Sequence, residues 1–257
     1  MRRHELTDES WAVIEPLLAP PRMGRPVRDL PERYGPWKTV YERFRRWSAN
    51  GTWDRLLAHV QQHSDAVGAV DWTVVYVDST TVRAHQHAAG ARKKAQPWPG
   101  EAIGRSRGGL TTKIHLACDA RGQPLAFTIT AGNVNDCTQF KQVMALIRVE
   151  RCGPGRSRTR PEQVVADKGY SSTKIHTYLP RRGIKAAIPE RIDQITGRIH
   201  RRESLCRLNR SAYRRRNVVE RCFNKLKHNK APATRYDKRA RHYQATVTLA
   251  CLRLWLP

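Results

Sequence analysis

The sequence predicts an α/β fold, in which helices flank a mixed β-sheet and a small helical domain comes first. Two observations support this prediction. The first seventy residues carry aromatic and aliphatic side chains at helical spacing. From Trp72 onward, β-branched runs alternate with helical stretches. The predicted division is a helical domain at residues 1–68 and an α/β domain at 69–257, with a basic insertion at about 82–110.

Three helices are predicted in the first domain, from caps, breakers and apolar spacing. Arginines on their outer faces suit docking on duplex DNA, although a plain helical cap explains the pattern equally well. The first follows Thr7 or Asp8 and ends before Pro20, the second runs from about Trp37 to Asn50, and a third, shorter one carries Trp53 to Val60.

The second domain shows five strand patterns and two helix patterns. Two antiparallel strands joined by a turn at residues 119–122, then a helix, then strands interleaved with helices, is the element order of an RNase H-like sheet. Asp136 is expected to cap the first of these helices. The strands are predicted at 72–78, 111–118, 125–130, 163–167 and 184–188, and the helices at 136–147 and 173–182.

The charge balance indicates a polyanionic partner. Lys and Arg total 48 against 22 Asp and Glu, a formal net charge of +26. Nucleic acid is the natural counter-charge, although a charged solubilising surface is the simpler alternative. The six cysteines form no Cys-x-x-Cys pair, which argues against a zinc ribbon and a disulfide framework. With no apolar leader and no long apolar run, the expected location is the cytoplasm, in association with the nucleoid.

Asp78 and Asp167 are the first candidates for chemistry, because each is expected to close a hydrophobic strand. Strand ends meet at the rim of an α/β sheet, where such folds keep their ligands. Two neighbouring carboxylates repel each other unless a cation lies between them, and Mg²⁺ or Mn²⁺ suits such oxygen ligands. Taken singly, a strand-end aspartate is more often a turn residue.

Glu220 is the third candidate. Tyr213, Arg216, Glu220 and Lys227 fall within about 60° of one another if they share one α-helix. The residues between them supply an apolar face, so this helix can cover the sheet while presenting a polar stripe. A solvated amphipathic helix with an Arg–Glu pair four residues apart is the plainer explanation.

The spacing Tyr-(2)-Arg-(3)-Glu-(6)-Lys resembles the signature of the DDE insertion-sequence transposases. Val77–Thr80 and Ala166–Tyr170 resemble the first and second acidic motifs of that family, in the same chain order. Three further runs also match, at residues 83–94, 106–115 and 235–238. The resemblance covers essentially the whole chain.

This resemblance implies an RNase H-like catalytic domain in which Asp78, Asp167 and Glu220 hold two divalent cations, Mg²⁺ or Mn²⁺. It also implies nicking of double-stranded DNA at the ends of a mobile element, followed by attack of the freed 3′-hydroxyl on target DNA. A homodimer in the synaptic complex is expected by analogy. Two cations can activate the attacking oxygen and stabilise the leaving oxygen of phosphoryl transfer.

Several further residues are expected to contact DNA. Arg216 and Lys227 are placed to bind phosphates and Tyr213 to contact a sugar or base, with Lys168 a weaker candidate. Arg83 and His85, in the basic insertion, are expected to contact phosphates or the DNA end. The His85-x-His87 spacing is less consistent with a metal site, since no third soft ligand lies nearby.

Two departures from the family pattern affect the predicted DNA-binding domain and the end of the signature helix. An apolar helix that usually separates a Gly-Arg-Pro-Arg-like stretch from the Asp29–Gly35 run is missing, and residues 228–232 lack the usual Trp and Gly. We therefore hypothesise a catalytically equipped copy that is defective in transposition. The alternatives are a non-transposing nuclease of the same fold and a basic packaging protein without catalysis.

Overall fold

A computed structural model of the chain describes residues 35–89, 101–201 and 208–256, which contain seven strands and nine α-helices. The strands are β1 Val74–Ala84, β2 Gly104–Ser106, β3 Gly109–Cys118, β4 Pro124–Ala131, β5 Gln163–Ala166, β6 Lys185–Ala187 and β7 Thr234–Arg235. The helices are α1 Trp37–Asn50, α2 Thr52–Ala66, α3 Gln86–Ala89, α4 Asp136–Leu146, α5 Thr173–Arg181, α6 Ile192–His200, α7 Arg210–Arg214, α8 Asn217–His228 and α9 Ala240–Trp255.

All seven strands belong to one mixed sheet. The order through its centre is β4-β3-β1-β5-β6, with β3 antiparallel to β1 and β4, and with β5 and β6 parallel to β1. The short β2 pairs with the start of β3, and β7 pairs with the end of β1. The predicted α/β class and RNase H-like element order are confirmed: an antiparallel half joined to a parallel half, with helices on the faces.

The two faces of the sheet carry different helices. Alternate side chains of a strand point to opposite faces. Helix α8 covers the face that presents Asp78 and Thr80, because Lys227 of α8 bonds Thr80. Helix α4 covers the other face, where Asp136 approaches His115 of β3. The core thus lies on both sides of β1, with Val75 and Val77 buried on the α4 face and Val74 and Tyr76 buried on the α8 face.

Three cysteines meet in this core. Cys118 of β3, Cys222 of α8 and Cys251 of α9 are at most 1% exposed and are free thiols. Burial raises the pKa of the Cys118 and Cys251 thiols. They behave as small apolar side chains, in agreement with the expectation of ordinary reduced thiols.

The helices before the sheet pack against the end of the chain. Gly51, with φ of 72°, ends α1 in the left-handed conformation and starts α2, so that Trp47 and Trp53 meet edge to face at 4.8 Å. Both helices contact α9, and Gln61 of α2 donates to two backbone carbonyls at the start of β4. Helix α2, at 15 residues, is not shorter than α1, at 14. The first predicted helix lies outside the described residues.

Three further boundaries correct the expectations. β1 continues to Ala84, because residues 79–83 pair with β3 and include β-branched Thr80, Thr81 and Val82. The helix at 136 is capped by Asn135, whose side chain accepts from the backbone N–H of Cys137. Much of the predicted insertion at 82–110 is regular, since it contains the end of β1, α3, β2 and the start of β3, while residues 90–100 lie outside the described part. The domain boundary at residue 68 stays a prediction.

Within the described ranges, none of the helices has both the length and the apolar composition needed to cross a bilayer.

His115 gives the fold a defined pH dependence. Its side chain is 1% exposed, its Nε2 lies 2.8 Å from Thr130 Oγ1, and burial lowers its pKa to about 4. Unfolded histidine titrates near 6.5, so between about pH 6.5 and 4 only the unfolded state binds this proton. Stability is therefore complete above about pH 6.5 and decreases as the pH falls.

We predict that His115→Asn removes this contribution, which amounts to roughly 3 kcal/mol across the window. The measurement is the free energy of unfolding in urea at a series of pH values, for the variant and the wild type. The exposed His59→Asn is the matched control and should keep the wild-type slope. Equal slopes for His115→Asn and the wild type would contradict this account.

Candidate active site

The acidic residues lie at one edge of β1, beside the interval between the part that pairs with β5 and the part that pairs with β7. β5 pairs with β1 as far as Val77 opposite Ala166, and β7 pairs from Arg83 onward. Asp78 and Asp167 are the next residues in register, on neighbouring strands about 5 Å apart. The prediction that Asp78 ends its strand is wrong, but Asp167 does follow the end of β5. The two aspartates are adjacent because β5 stops, and not because β1 does.

The side chain of Asp78 is largely buried, and both of its carboxylate oxygens accept hydrogen bonds. Its Oδ1 accepts from the backbone N–H of Ser79 at 2.8 Å, and its Oδ2 accepts from Arg216 at 3.2 Å. Burial raises the pKa of Asp78, and the nearby Asp167 carboxylate raises it further, whereas the Ser79 N–H and Arg216 act in the opposite direction. Two acids thus face each other across neighbouring strands, at a position where a cation would offset their repulsion.

Asp167 begins a tight turn. Its Oδ1 accepts from the backbone N–H of Lys168 at 2.6 Å, which caps the 3₁₀ turn Lys168–Tyr170. The phenol of Tyr213 also donates to this oxygen, at 3.4 Å. Burial and the Asp167 carboxylate raise the pKa of Tyr213, so its hydroxyl keeps its proton and can donate. The turn therefore directs the Asp167 carboxylate toward the helical segment that carries Tyr213 and the other signature residues.

The signature residues occupy two helices. Tyr213 lies in α7, which ends at Arg214, and Arg216 is the residue before α8. The prediction of one continuous helix is therefore wrong. The break lies at Arg215, whose ψ of 7° departs from α-helical geometry and whose backbone N–H bonds the carbonyls of Ala212 and Tyr213. The break turns Arg216 toward β1.

Arg216 connects two of the three predicted acids. One guanidinium nitrogen bonds Asp78 at 3.2 Å and another bonds Glu220 at 2.9 Å. The Arg–Glu pair four residues apart is thus present, as the plainer explanation expected. The same guanidinium also reaches across to the sheet, which a solvated helix face would not do. Glu220 remains 53% exposed and Asp78 20% exposed.

Lys227 reaches the same edge from two turns further along α8. Its ammonium donates to Thr80 Oγ1 at 2.6 Å, and burial lowers its pKa. Since Thr80 lies two residues beyond Asp78 on the same face of β1, Lys227 lies beside the acids without pairing with them. The structure therefore places the three predicted acids along one edge of the sheet with Tyr213, Arg216 and Lys227, and Asp78 and Glu220 are linked there through Arg216.

The remaining predicted contact residues lie apart from one another. Lys168 is exposed beside Asp167. Arg83 and His85 lie at the far end of β1. His85 is about 23 Å from Asp78 along the strand. His85 stacks on Tyr236, with ring centroids 4.6 Å apart. The side chain of His87 falls outside the described part.

The donor atoms of the three acids are of the kind that binds a divalent cation. They offer hard carboxylate oxygens, which Mg²⁺ and Mn²⁺ prefer, and the pKa of Asp78 is raised mainly by burial and further by the neighbouring Asp167 carboxylate. In the described part of the chain, no three His, Cys, Asp or Glu side chains are grouped closely enough to hold a metal. The guanidinium of Arg216 lies between Asp78 and Glu220 and provides the counter-charge instead.

Sequence reasoning missed two residues of this edge. Thr80 was visible only as part of the Val77–Thr80 motif, with no role assigned, yet it anchors Lys227. Tyr236 was visible only as part of the matching run at 235–238, yet it is 57% exposed and stacks on His85. In both cases the partner is distant in sequence, so spacing alone could not identify the contact.

Two known protein families match different parts of the chain. The profile of a family described as "Transposase DDE domain" matches residues 70–255, and that of a family described as "Putative transposase of IS4/5 family" matches residues 21–57. The larger match contains every acid and signature residue of the edge described above.

Similar proteins come from three bacteria. The chain is 44% identical over 80 residues to "Uncharacterized protein y4sN" of Sinorhizobium fredii, a match that covers 31% of this chain and 59% of that protein. It is 34% identical over 160 residues to "Putative transposase for insertion sequence element IS402" of Burkholderia cepacia, covering 62% and 67%. It is 28% identical over 147 residues to "Putative transposase for insertion sequence element IS6501" of Brucella ovis, covering 57% and 99%.

Among solved structures, one described as "Crystal structure of the Mos1 Strand Transfer Complex" aligns with 95% of this chain and 68% of its own, at 12% identity and a TM-score of 0.28. That score is too low for the alignment to support any conclusion by itself.

Proposed function

The chain belongs to the transposase DDE domain family, and from this membership we propose that it cleaves DNA at the ends of an insertion sequence and joins the freed 3′-hydroxyl to target DNA. Double-stranded DNA is then both the substrate and the partner, as the net charge of +26 favours. A homodimer that pairs the two element ends is part of the proposal.

One observation carries this proposal: residues distant in sequence converge on the interval of β1 between β5 and β7. Arg216 bonds both Asp78 and Glu220, and Tyr213 bonds Asp167. An amphipathic helix that merely covers a sheet has no need to direct polar side chains at strand-edge carboxylates. Phosphoryl transfer needs both acids and cations at one place.

We assign the acids and the neighbouring cations separate tasks. Asp78, Asp167 and Glu220 would hold one or two Mg²⁺ or Mn²⁺ ions, which activate the attacking oxygen and stabilise the leaving oxygen when bound. Lys227, held by Thr80, presents its ammonium to the phosphates of the DNA strand. Tyr213 orients the Asp167 carboxylate through its hydroxyl.

Arg216 has two possible partners in this scheme. Without a metal its guanidinium neutralises Asp78 and Glu220. Carboxylates that held a divalent cation would leave the guanidinium to bind a DNA phosphate, for which its planar shape suits it. Binding of metal and binding of DNA would then support each other, because each would favour the same displacement of Arg216.

The hypothesis of a defective copy stays a prediction. The region where a helix is missing from the family pattern lies before residue 35, outside the described residues. α1 and α2 both pack against α9, so the described part of the helical region has a packing partner.

We predict that Asp78→Asn, Asp167→Asn and Glu220→Gln each reduce cleavage by about a thousandfold or more, because an amide cannot replace a charged metal ligand. The assay uses a duplex that carries the terminal sequence found beside the gene, with Mg²⁺. Binding of the same duplex should remain at the wild-type level. Asp193→Asn, which changes an exposed carboxylate of α6, is the matched control and should cleave normally.

Three outcomes have defined meanings in this assay. Cleavage by an Asp78→Asn protein at the wild-type rate would remove the basis of the proposal. Cleavage without joining to target DNA would instead identify a nuclease of the same fold. Normal excision and insertion of a mini-element would refute the hypothesis of a defective copy.

We predict that Arg216→Ala tightens Mn²⁺ binding about tenfold in the absence of DNA, because the carboxylates lose a competing cation. The measurement is the Mn²⁺ dissociation constant from electron paramagnetic resonance. Lys227→Met removes the same charge beside the site, but the ammonium bonds Thr80 and not the acids, so a change of only about twofold is expected. Equal effects of the two substitutions would show that Arg216 acts only through its charge.

A further inference from the structure

An aromatic pair, of which the tyrosine is exposed, lies at the end of β1 away from the acids. The rings of His85 and Tyr236 stack with centroids 4.6 Å apart and planes inclined at 33°. They lie side by side because β7 pairs Arg235 with Ala84, and the backbone N–H of His85 bonds the carbonyl of Arg235 at 2.8 Å. Tyr236 nevertheless keeps 57% of its surface open to solvent.

The segment that carries Tyr236 is held by a buried arginine. Arg235 is fully buried, and its guanidinium donates to the carbonyls of Ala102, Asp237 and Lys238 and to Thr112 Oγ1, at 2.8 to 3.2 Å. Burying a charge is costly unless it is fully hydrogen bonded. This network therefore fixes the backbone on both sides of Tyr236.

Burial of Arg235 is also favoured by the ring of Tyr243, whose centroid lies 5.3 Å from the guanidinium carbon. A rigid backbone that presents an exposed tyrosine loses little entropy when a ligand stacks on that ring. Tyr236 does not belong to the hydrophobic core, and more than half of its surface faces solvent.

The surroundings of the pair are cationic. Arg83, Lys238 and Arg239 are exposed within a few residues of the two rings. The nearby acids are engaged locally: Glu101 accepts from the backbone N–H of Ala240 at 2.6 Å, and Asp237 accepts from Thr246 at 3.3 Å. Exposed cations beside an aromatic face are the combination that binds the phosphates and bases of a single strand.

The pair shares a strand with the acids. His85 lies seven residues beyond Asp78, so the rings are about 23 Å from that carboxylate along β1. At the duplex rise of about 3.4 Å per nucleotide this span corresponds to roughly seven nucleotides, and an extended single strand covers it with fewer. A strand whose phosphate lies at the acids can therefore extend to the aromatic pair without leaving the protein.

We propose that His85 and Tyr236 form a stacking platform for an unpaired base of a DNA strand that occupies the acidic site. The occupant is single-stranded, because the face of a base is accessible to a side chain only where the base has left the duplex stack. The proposal rests on the proposed function in taking DNA as the ligand and the acidic edge as the place that its strand occupies. Cations alone would suffice to bind phosphates, so the aromatic surface is what identifies a base.

The test compares two probes on the full chain with Asp78→Asn, so that no cleavage occurs. One probe is an oligothymidylate of about 15 nucleotides, and the other is an abasic oligonucleotide of the same length and charge. We expect the thymidylate to bind about tenfold tighter than the abasic strand. Adding Tyr236→Ala should reduce that ratio at least about fivefold and leave abasic binding within about twofold.

Three control variants separate stacking from charge and from folding. Tyr236→Phe keeps the ring and should keep the ratio. Tyr41→Ala, which removes another exposed tyrosine, on α1, should also keep it. Arg83→Gln should weaken both probes equally, since it removes only a cation. Far-ultraviolet circular dichroism melting of each variant checks that the fold is intact.

An unchanged ratio in Tyr236→Ala, or an equal loss for both probes, would overturn the platform. So would a loss of the ratio in Tyr236→Phe. These results are independent of cleavage, which is measured separately on the protein with Asp78 intact. Failure of the platform therefore leaves the proposed function standing, and failure of cleavage leaves the binding ratio as its own result.

Discussion

The constraint on which this structure depends is the divided edge of β1. One edge of the strand pairs continuously with β3, whereas the other is shared between β5 and β7 and leaves an interval at residues 78–82. Within that interval the side chains of Asp78 and Thr80 face α8 and the residue before it. The acids, the arginine and the lysine all meet there because the sheet provides an opening at the centre of its longest strand.

Charge compensation determines how the opening is filled. Three carboxylates in a chain with 22 acids and 48 bases would be expected to pair randomly with surface cations. Instead Arg216 joins two of them, and Lys227 is held beside them by a neutral hydroxyl. Arg216 is thus paired with the acids, whereas Lys227 is held away from them. This difference is the physical reason for assigning Arg216 to competition with a metal ion and Lys227 to phosphate binding.

The sequence predicted the sheet, the hairpin and the principal helices because period-two and helical patterns report burial directly. It also predicted that Glu220 and its signature neighbours act together. It could not predict the continuation of β1 past Asp78, since the pairing of residues 79–83 depends on β3. The break before α8 and the stacking of Tyr236 on His85 were equally inaccessible, because tertiary contacts outweigh local propensity there.

The three buried thiols have a practical consequence. Cys118, Cys222 and Cys251 come from the sheet, α8 and α9, so a reagent can reach them only when those elements separate. Their alkylation rate in native buffer therefore reports how often α8 lifts from the sheet. The same movement would carry Glu220 away from Asp78. The alkylation rate of these buried thiols therefore measures how often the acidic edge opens.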